Sequence, residues 1–184
     1  MRESAPPAVL RALEGRLDAD RLCRLYADQI YRFAAMVSHR DSDAEDLAQD
    51  ALERAVRAID RYDSGRGAVE AWLWRIVVNT ARDRGRVAQR NRLLLERISA
   101  FLPRLAPDAE PMVDSALLDD ELLDAVRHMP RRARALIALR FGADLDYAAT
   151  GAALGISAQA AGVATRRALI VLRRILEAKT RSLG

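Results

Sequence analysis

Apolar residues recur along this chain at steps of three and four, and no stretch keeps the two-residue alternation of a strand. From about Asp20, the positions Leu22, Leu25, Tyr26, Ile30, Phe33 and Val37 form one stripe, which predicts a helix ending near Ser38. A second helix is predicted to open on a capping box, Ser42 with Glu45, in which each side chain satisfies an orphaned amide of the other residue. Asp41, Asp43, Glu45 and Asp46 add negative charge where the helix dipole favours it. This helix runs through Leu47, Ala51, Leu52, Ala55, Val56 and Ile59 until Asp63-Ser64-Gly65-Arg66-Gly67 breaks it. A third helix, over about 69–87, is expected to turn Trp72, Leu73, Ile76, Val77 and Thr80 inward, with Trp74 off that stripe.

Between about Ala88 and Leu118 the pattern decays, and Pro103, Pro107 and Pro111 predict a linker, with a short helix at Leu93–Phe101. Four helices are predicted beyond it: Asp119–Met129, a segment with Pro130 in its first turn that ends near Gly142, Asp146–Leu154, and Ser157–Ala178. The expected fold is therefore all-α, with two small helical domains, 19–90 and 119–184, joined by a flexible linker, 91–118, and preceded by a tail, 1–18.

Composition narrows the function. An apolar fraction of 51% in 184 residues is ample for buried cores. A net charge of +4 permits nucleic-acid binding without requiring it. Lys179 is the only lysine, so the positive charge is almost all arginine, whose planar fork suits phosphate. The single cysteine, Cys23, sits between Leu22 and Leu25 and reads as a buried, inert thiol; no intrachain disulfide or cysteine-rich metal site can form. No signal peptide or membrane-spanning run is visible, so a cytoplasmic location without membrane insertion is expected. His39 and His128 have no ligand-spaced neighbours, and no Gly-rich phosphate loop or nucleophile elbow occurs. The sequence predicts no catalytic residue, metal or cofactor.

Two features point to binding. Asp146 to Ser157 joins a short helix to a long one, with Gly155 placed for a left-handed turn and Ser157 for the next helix cap. That is the pattern of a helix-turn-helix, whose second helix enters a major groove, although alanine-rich hairpins also serve as plain packing units. In the first half, an acidic stretch from Asp41 to Asp60 is followed by a basic one from Arg75 to Arg92. These are either two solvated faces of opposite sign or separate surfaces for a basic partner and for nucleic acid.

The run Asp43-Ala44-Glu45-Asp46-Leu47-Ala48-Gln49-Asp50-Ala51-Leu52-Glu53-Arg54-Ala55 resembles region 2.2 of the extracytoplasmic-function (ECF) sigma factors of bacterial RNA polymerase. Ala71-Trp72-Leu73-Trp74-Arg75-Ile76-Val77-Val78-Asn79-Thr80-Ala81-Arg82-Asp83 resembles their regions 2.3 and 2.4, and Met129-Pro130-Arg131-Arg132-Ala133-Arg134 resembles the opening of region 4. The resemblance implies transcription initiation rather than enzymatic chemistry. Its expected partners are core RNA polymerase (β′ clamp helices and β flap), promoter DNA and an anti-sigma factor. It implies that Asp46, Gln49, Asp50 and Glu53 contact core polymerase. Arg75, Asn79, Arg82, Asp83 and Arg86 are expected to bind the minus-ten strand. Asn79 would meet a base that has left the stack, and Gln89 and Arg90 would lie in a loop that helps choose it.

For the minus-thirty-five element the resemblance implies Gln159, Arg166, Arg167, Arg173 and Arg174. The chain departs from the family here. Ala160-Ala161-Gly162 stands where polar or basic side chains are usual, and Ala148, Ala149 and Gly151 replace acidic or branched residues in the preceding helix. One lost bidentate base contact gives up roughly 1–3 kcal/mol of discrimination. Upstream readout is therefore expected to be weak. Two other readings stay open: a helix-turn-helix regulator acting without polymerase, and a sigma-like interaction module.

Overall fold

The computed structural model describes residues 17–99 and 120–182, and these are mostly helical, with no strand among them. Helix α1 spans Ala19–Val37 and α2 Asp41–Ala58; two short turns, Ile59–Arg61 and Ser64–Arg66, lead into α3, Val69–Ser99. The second half holds α4 (Asp120–Arg127), α5 (Arg131–Ile137) with a π turn over Ala138–Gly142, α6 (Tyr147–Leu154) and α7 (Ala158–Ser182). The tail, 1–16, and residues 100–119 lie outside the described residues, and so does the end of the short helix expected at Leu93–Phe101.

Several expectations change. Asp18 caps α1 through the amide of Arg21, as its side chain should. The capping box of α2 does not form: Ser42 lies inside the helix, and the cap position is Arg40, whose side chain makes no cap bond. Helix α3 does not stop near Val87 but runs for 31 residues. Arg86, Gln89 and Arg90 are good helix formers, and no glycine or proline follows them before Pro103. Gln89 and Arg90 are thus on a helix, not in a loop. Pro130 stands at the cap of α5 rather than inside its first turn.

The tryptophans exchange roles. Trp74 is fully buried, its ring edge-on to Phe33 at 5.7 Å, whereas Trp72 is half-buried against Tyr62 at 5.3 Å. The core of the first half therefore rests on Leu22, Tyr26, Ile30 and Phe33 of α1 meeting Leu73, Trp74 and Val77 of α3, with alanines of α2 allowing close approach. Burial of Tyr26, with Glu70 and Tyr62 near it, pushes its phenol up to about 12, so it stays protonated.

The core continues into the second half. Phe33, Ala34, Ala35 and Met36 are all buried, because the end of α1 is covered by the π turn as well as by α2. Arg32 Nε donates to the Gly142 carbonyl at 2.9 Å, and a Cβ on Gly142 would stand 2.7 Å from Met36 Sδ. Arg127, 7% exposed, donates to Asp41 Oδ1 at 2.6 Å and to the Ala35 carbonyl at 3.4 Å. The carbonyl end of α1 carries the negative end of its dipole, which favours that guanidinium. Arg134 is also buried and donates to the Arg127 carbonyl at 2.8 Å and to His39 Nε2 at 3.3 Å. Farther along, the Arg131 guanidinium rests on Gly85 of α3, where a Cβ would lie 1.7 Å from Nη2. Glycine inside a helix costs about 1 kcal/mol relative to alanine, and a methyl there would displace only the flexible end of Arg131.

Two outcomes follow. Trp74→Ala should lower stability by about 3–5 kcal/mol, and Trp72→Ala by clearly less, in urea unfolding. Burial, then Arg134, Arg127 and His128, holds the His39 pKa below 6.5, against an opposing pull from Asp43. The neutral ring accepts from Arg134, while Asp41 is engaged by Arg127. Stability from this site is therefore present above pH 6.5 and lost as pH falls through the lowered value. The melting temperature should drop on acidification through that window, and less so in His39→Gln.

Candidate functional site

Helix α2 presents its acids on two sides, because residues at i and i+4 share a face. Asp46 and Asp50 turn toward α3, where Arg84 grips both: Nη2 meets Asp46 Oδ2 at 3.0 Å, and Nη1 bonds Asp50. Burial works to lower the Arg84 pKa, but the bonds and charges of Asp50 and Asp46 prevail and raise it. On the other side, Glu45, Gln49 and Glu53 rim an open, mainly apolar groove of about 500 Å³, floored by Cys23, Tyr31, Leu52 and Val56. Cys23 is thus half-buried in a groove wall and not in the core. Gln49 donates to Glu53 at 3.4 Å, and Glu53 also pairs with Arg57 at 2.8 Å. The four residues expected to act together are split, Gln49 and Glu53 at the groove and Asp46 and Asp50 under Arg84.

Helix α3 brings its predicted residues together. Arg75, Asn79, Arg82, Arg86 and Arg90 follow at steps of three and four and are all exposed, as is Gln89. At 1.5 Å per residue this is a cationic stripe about 22 Å long. Among the described residues no carboxylate pairs with Arg75, Arg82 or Arg90. Arg82 reaches Asn79 Oδ1 at 3.5 Å. Asp83 stands beside the stripe and is occupied by Arg86 and, at 3.1 Å, by Arg54 of α2. That placement makes it a brace for the arginines.

The helix-turn-helix forms as its sequence dictates. Asp146 caps α6 through the Ala149 amide at 2.7 Å, Gly155 takes the left-handed conformation at φ 73°, and Ser157 Oγ accepts from the Ala160 amide at 3.1 Å. Gly151 is needed at the turn, since a Cβ there would stand 2.7 Å from the Ile156 carbonyl oxygen. Gln159 and Arg167 of α7 line a cleft of about 640 Å³ together with Arg132 of α5 and Arg82 of α3. Arg166, Arg173 and Arg174 are exposed and stand outside that cleft, with Arg173 paired to Glu177 at 2.8 Å. A Cβ on Gly162 would stand 3.8 Å from the ring of Tyr147, and the Arg140 guanidinium carbon lies 5.6 Å from that ring's centre and 5.5 Å from that of Phe141.

Residues 22–91 match the model of Sigma-70 region 2, and residues 119–176 match that of Sigma-70, region 4. The chain is 31% identical over 179 residues to the ECF RNA polymerase sigma factor ShbA of Streptomyces griseus, covering 92% of this chain and 93% of that one. It is 33% identical over 140 residues to the ECF RNA polymerase sigma factor SigE of Mycolicibacterium smegmatis, covering 74% of this chain. The chain is an ECF-type RNA polymerase sigma factor by family. It spans about half of SigE, 53%, and 35% of the SigM proteins of Mycobacterium tuberculosis that it also matches. Among solved structures, the sigma factor RpoE of Bartonella quintana, determined with the anti-sigma factor NepR, has the same fold at a TM-score of 0.64 and 22% identity, covering 86% of this chain and 96% of that one. CnrH, determined with the cytosolic domain of CnrY, gives 0.60 at 23% identity, covering 87% and 88%. Among the described residues of this sigma factor, no helix is long and apolar enough to cross a membrane.

Sequence reasoning passed over three residues of the site. Arg84 was one cation in a basic run, and its hold on Asp46 and Asp50 spans 38 and 34 residues of sequence. Glu45 was read as a cap partner and instead rims the groove. Tyr147 gave no signal, and it is the ring that meets Gly162. Since the space at Gly162 accepts a methyl in ordinary contact, Gly162→Ala should raise stability in urea unfolding by about 1 kcal/mol.

Proposed function

We propose that this sigma factor binds core RNA polymerase and directs it to promoters, opening DNA by capturing one strand. The α3 stripe carries the reading: uncompensated arginines flank Asn79, an amide able to donate to and accept from a base edge. Capture of an unstacked base draws the duplex equilibrium toward the open form, with no covalent step. Core polymerase is assigned to the groove side of α2, where Gln49, Glu53 and Glu45 border apolar surface. Asp46 and Asp50 contribute to that contact while holding α2 to α3 through Arg84. Helix α7 docks upstream DNA through Gln159, Arg166, Arg167, Arg173 and Arg174.

Readout of the minus-thirty-five element is weak in this proposal, because Ala160 is exposed and carries no hydrogen-bonding group, and Gly162 is given to Tyr147. An anti-sigma factor is the natural regulator, in keeping with the partners named for RpoE and CnrH. The work is done in the cytoplasm, by binding rather than catalysis.

Run-off transcription with purified core polymerase tests the reading. Asn79→Ala should lower output about tenfold, the loss of one base contact, while binding to core polymerase is kept. Gln49→Ala with Glu53→Ala should weaken core binding instead. Randomising the minus-thirty-five element should change output by less than about fivefold. Binding to DNA but not to polymerase would overturn the proposal, and a severe, sequence-specific loss upstream would overturn the weak readout.

A further inference from the structure

Between α1 and α2 apolar surface is left open. Cys23 and Tyr31 stand two helical turns apart on one face of α1, and Leu52 and Val56 meet them from α2. All four are only partly buried, and among the described residues α1 and α2 alone wall the groove. At 1.5 Å per residue it extends about 12 Å along α1, from Cys23 to Tyr31, and about 16 Å along α2, from Glu45 to Val56.

The chain that enters α1 carries a segment of that size. Ser4 is a helix-start residue, Pro6 and Pro7 follow where a first turn tolerates them, and Gly15 is the residue type that ends helices. Within this frame Pro6, Val9, Leu10 and Leu13 fall at the spacings of one helical face, with Arg11 and Glu14 on the opposite one. As a helix, residues 5–14 would measure about 15 Å. The connection to α1 suits a reversal of direction. Asp18, the cap of α1, has an extended backbone, so α1 does not run on into the segment, and Leu17 packs against the core. Residues 15–18 have the length of the two- to five-residue loops that join antiparallel helices.

We propose that residues 4–15 form a short amphipathic helix that folds back over Gly15 and fills the groove between α1 and α2. Leu13 and Leu10 then cover Cys23 and Val56, and Pro6 lies toward Tyr31. Core polymerase is assigned to the same groove, so the segment competes with it. That competition rests on the function proposed above; the docking does not. A form with its groove free is then only a fraction of the population, and apparent affinity for polymerase is weakened by that fraction.

Cys23 is the only cysteine of the chain and stands in the groove wall, so its thiol reports on the groove directly. The test measures how fast an aromatic disulfide reagent modifies that thiol in the full chain, without polymerase. Leu10→Asp with Leu13→Asp should raise the rate by about fivefold or more, whereas Arg11→Gln, on the opposite face, should leave it unchanged. Gly15→Val reaches the same state by removing the turn, and it decides the matter should the double variant lose its helix signal in circular dichroism. Both the double variant and Gly15→Val should also bind core polymerase at about threefold lower concentration or less. Equal thiol rates in all forms would overturn the docking. Protection that fades on dilution would give the groove to a second copy of the chain and overturn it too. A faster thiol with unchanged polymerase binding would overturn the competition alone. A faster thiol in variants while no form binds polymerase would defeat the polymerase assignment and leave the docking standing.

Discussion

A nineteen-residue helix with an apolar stripe along its whole length must have that stripe covered from end to end, and α1 is covered by both halves of the chain. Its earlier turns, through Leu22, Tyr26 and Ile30, are met by α2 and α3. Its last turn, Phe33 to Met36, is buried on every side because the π turn closes over it. Small residues at Ala34, Ala35 and Gly142 permit that approach. The position of α3 against α1 then sets where the arginine stripe points, and the position of the π turn sets where α6 and α7 lie relative to it.

The charges are arranged around this framework with unequal consequences. A buried guanidinium is costly to leave unpaired, so Arg127 and Arg134 commit the backbone near them to carbonyl and carboxylate partners. Exposed pairs such as Arg57 with Glu53 contribute little to stability and remain available for exchange with a partner. On α2, Arg84, itself only partly buried, bridges Asp46 and Asp50 to α3, while Gln49 and Glu53 stay at the edge of an apolar groove. A helix can in this way be anchored by one set of acids and offered by another.

Periodicity made the helices legible because each buries one face, and cap chemistry located Gly155 and Ser157 correctly because local bonds decide them. Local rules failed where a better local alternative or a distant contact prevailed. Ser42 was absorbed into α2, and α3 outran the apolar pattern because helix propensity alone sustains its polar stretch. Trp74, off the expected stripe, is buried because Phe33 of α1 packs against it on a second side of α3, which no single-helix pattern records. The stripe from Arg75 to Arg90 was readable as one face, whereas the splitting of the α2 acids depended on Arg84, more than thirty residues away. Gly151 looked like a missing contact and is a packing requirement of the turn.

The start of α7 combines a rigid frame with an unwritten surface. Its cap, its left-handed turn and its seat against α6 are all fixed by backbone contacts, yet Ala160 is exposed and displaces nothing. A longer side chain at that position would extend outward from α7 without disturbing what orients the helix. What this face displays is therefore separable from what folds it, and on the function proposed above single substitutions there would change recognition without disturbing the frame.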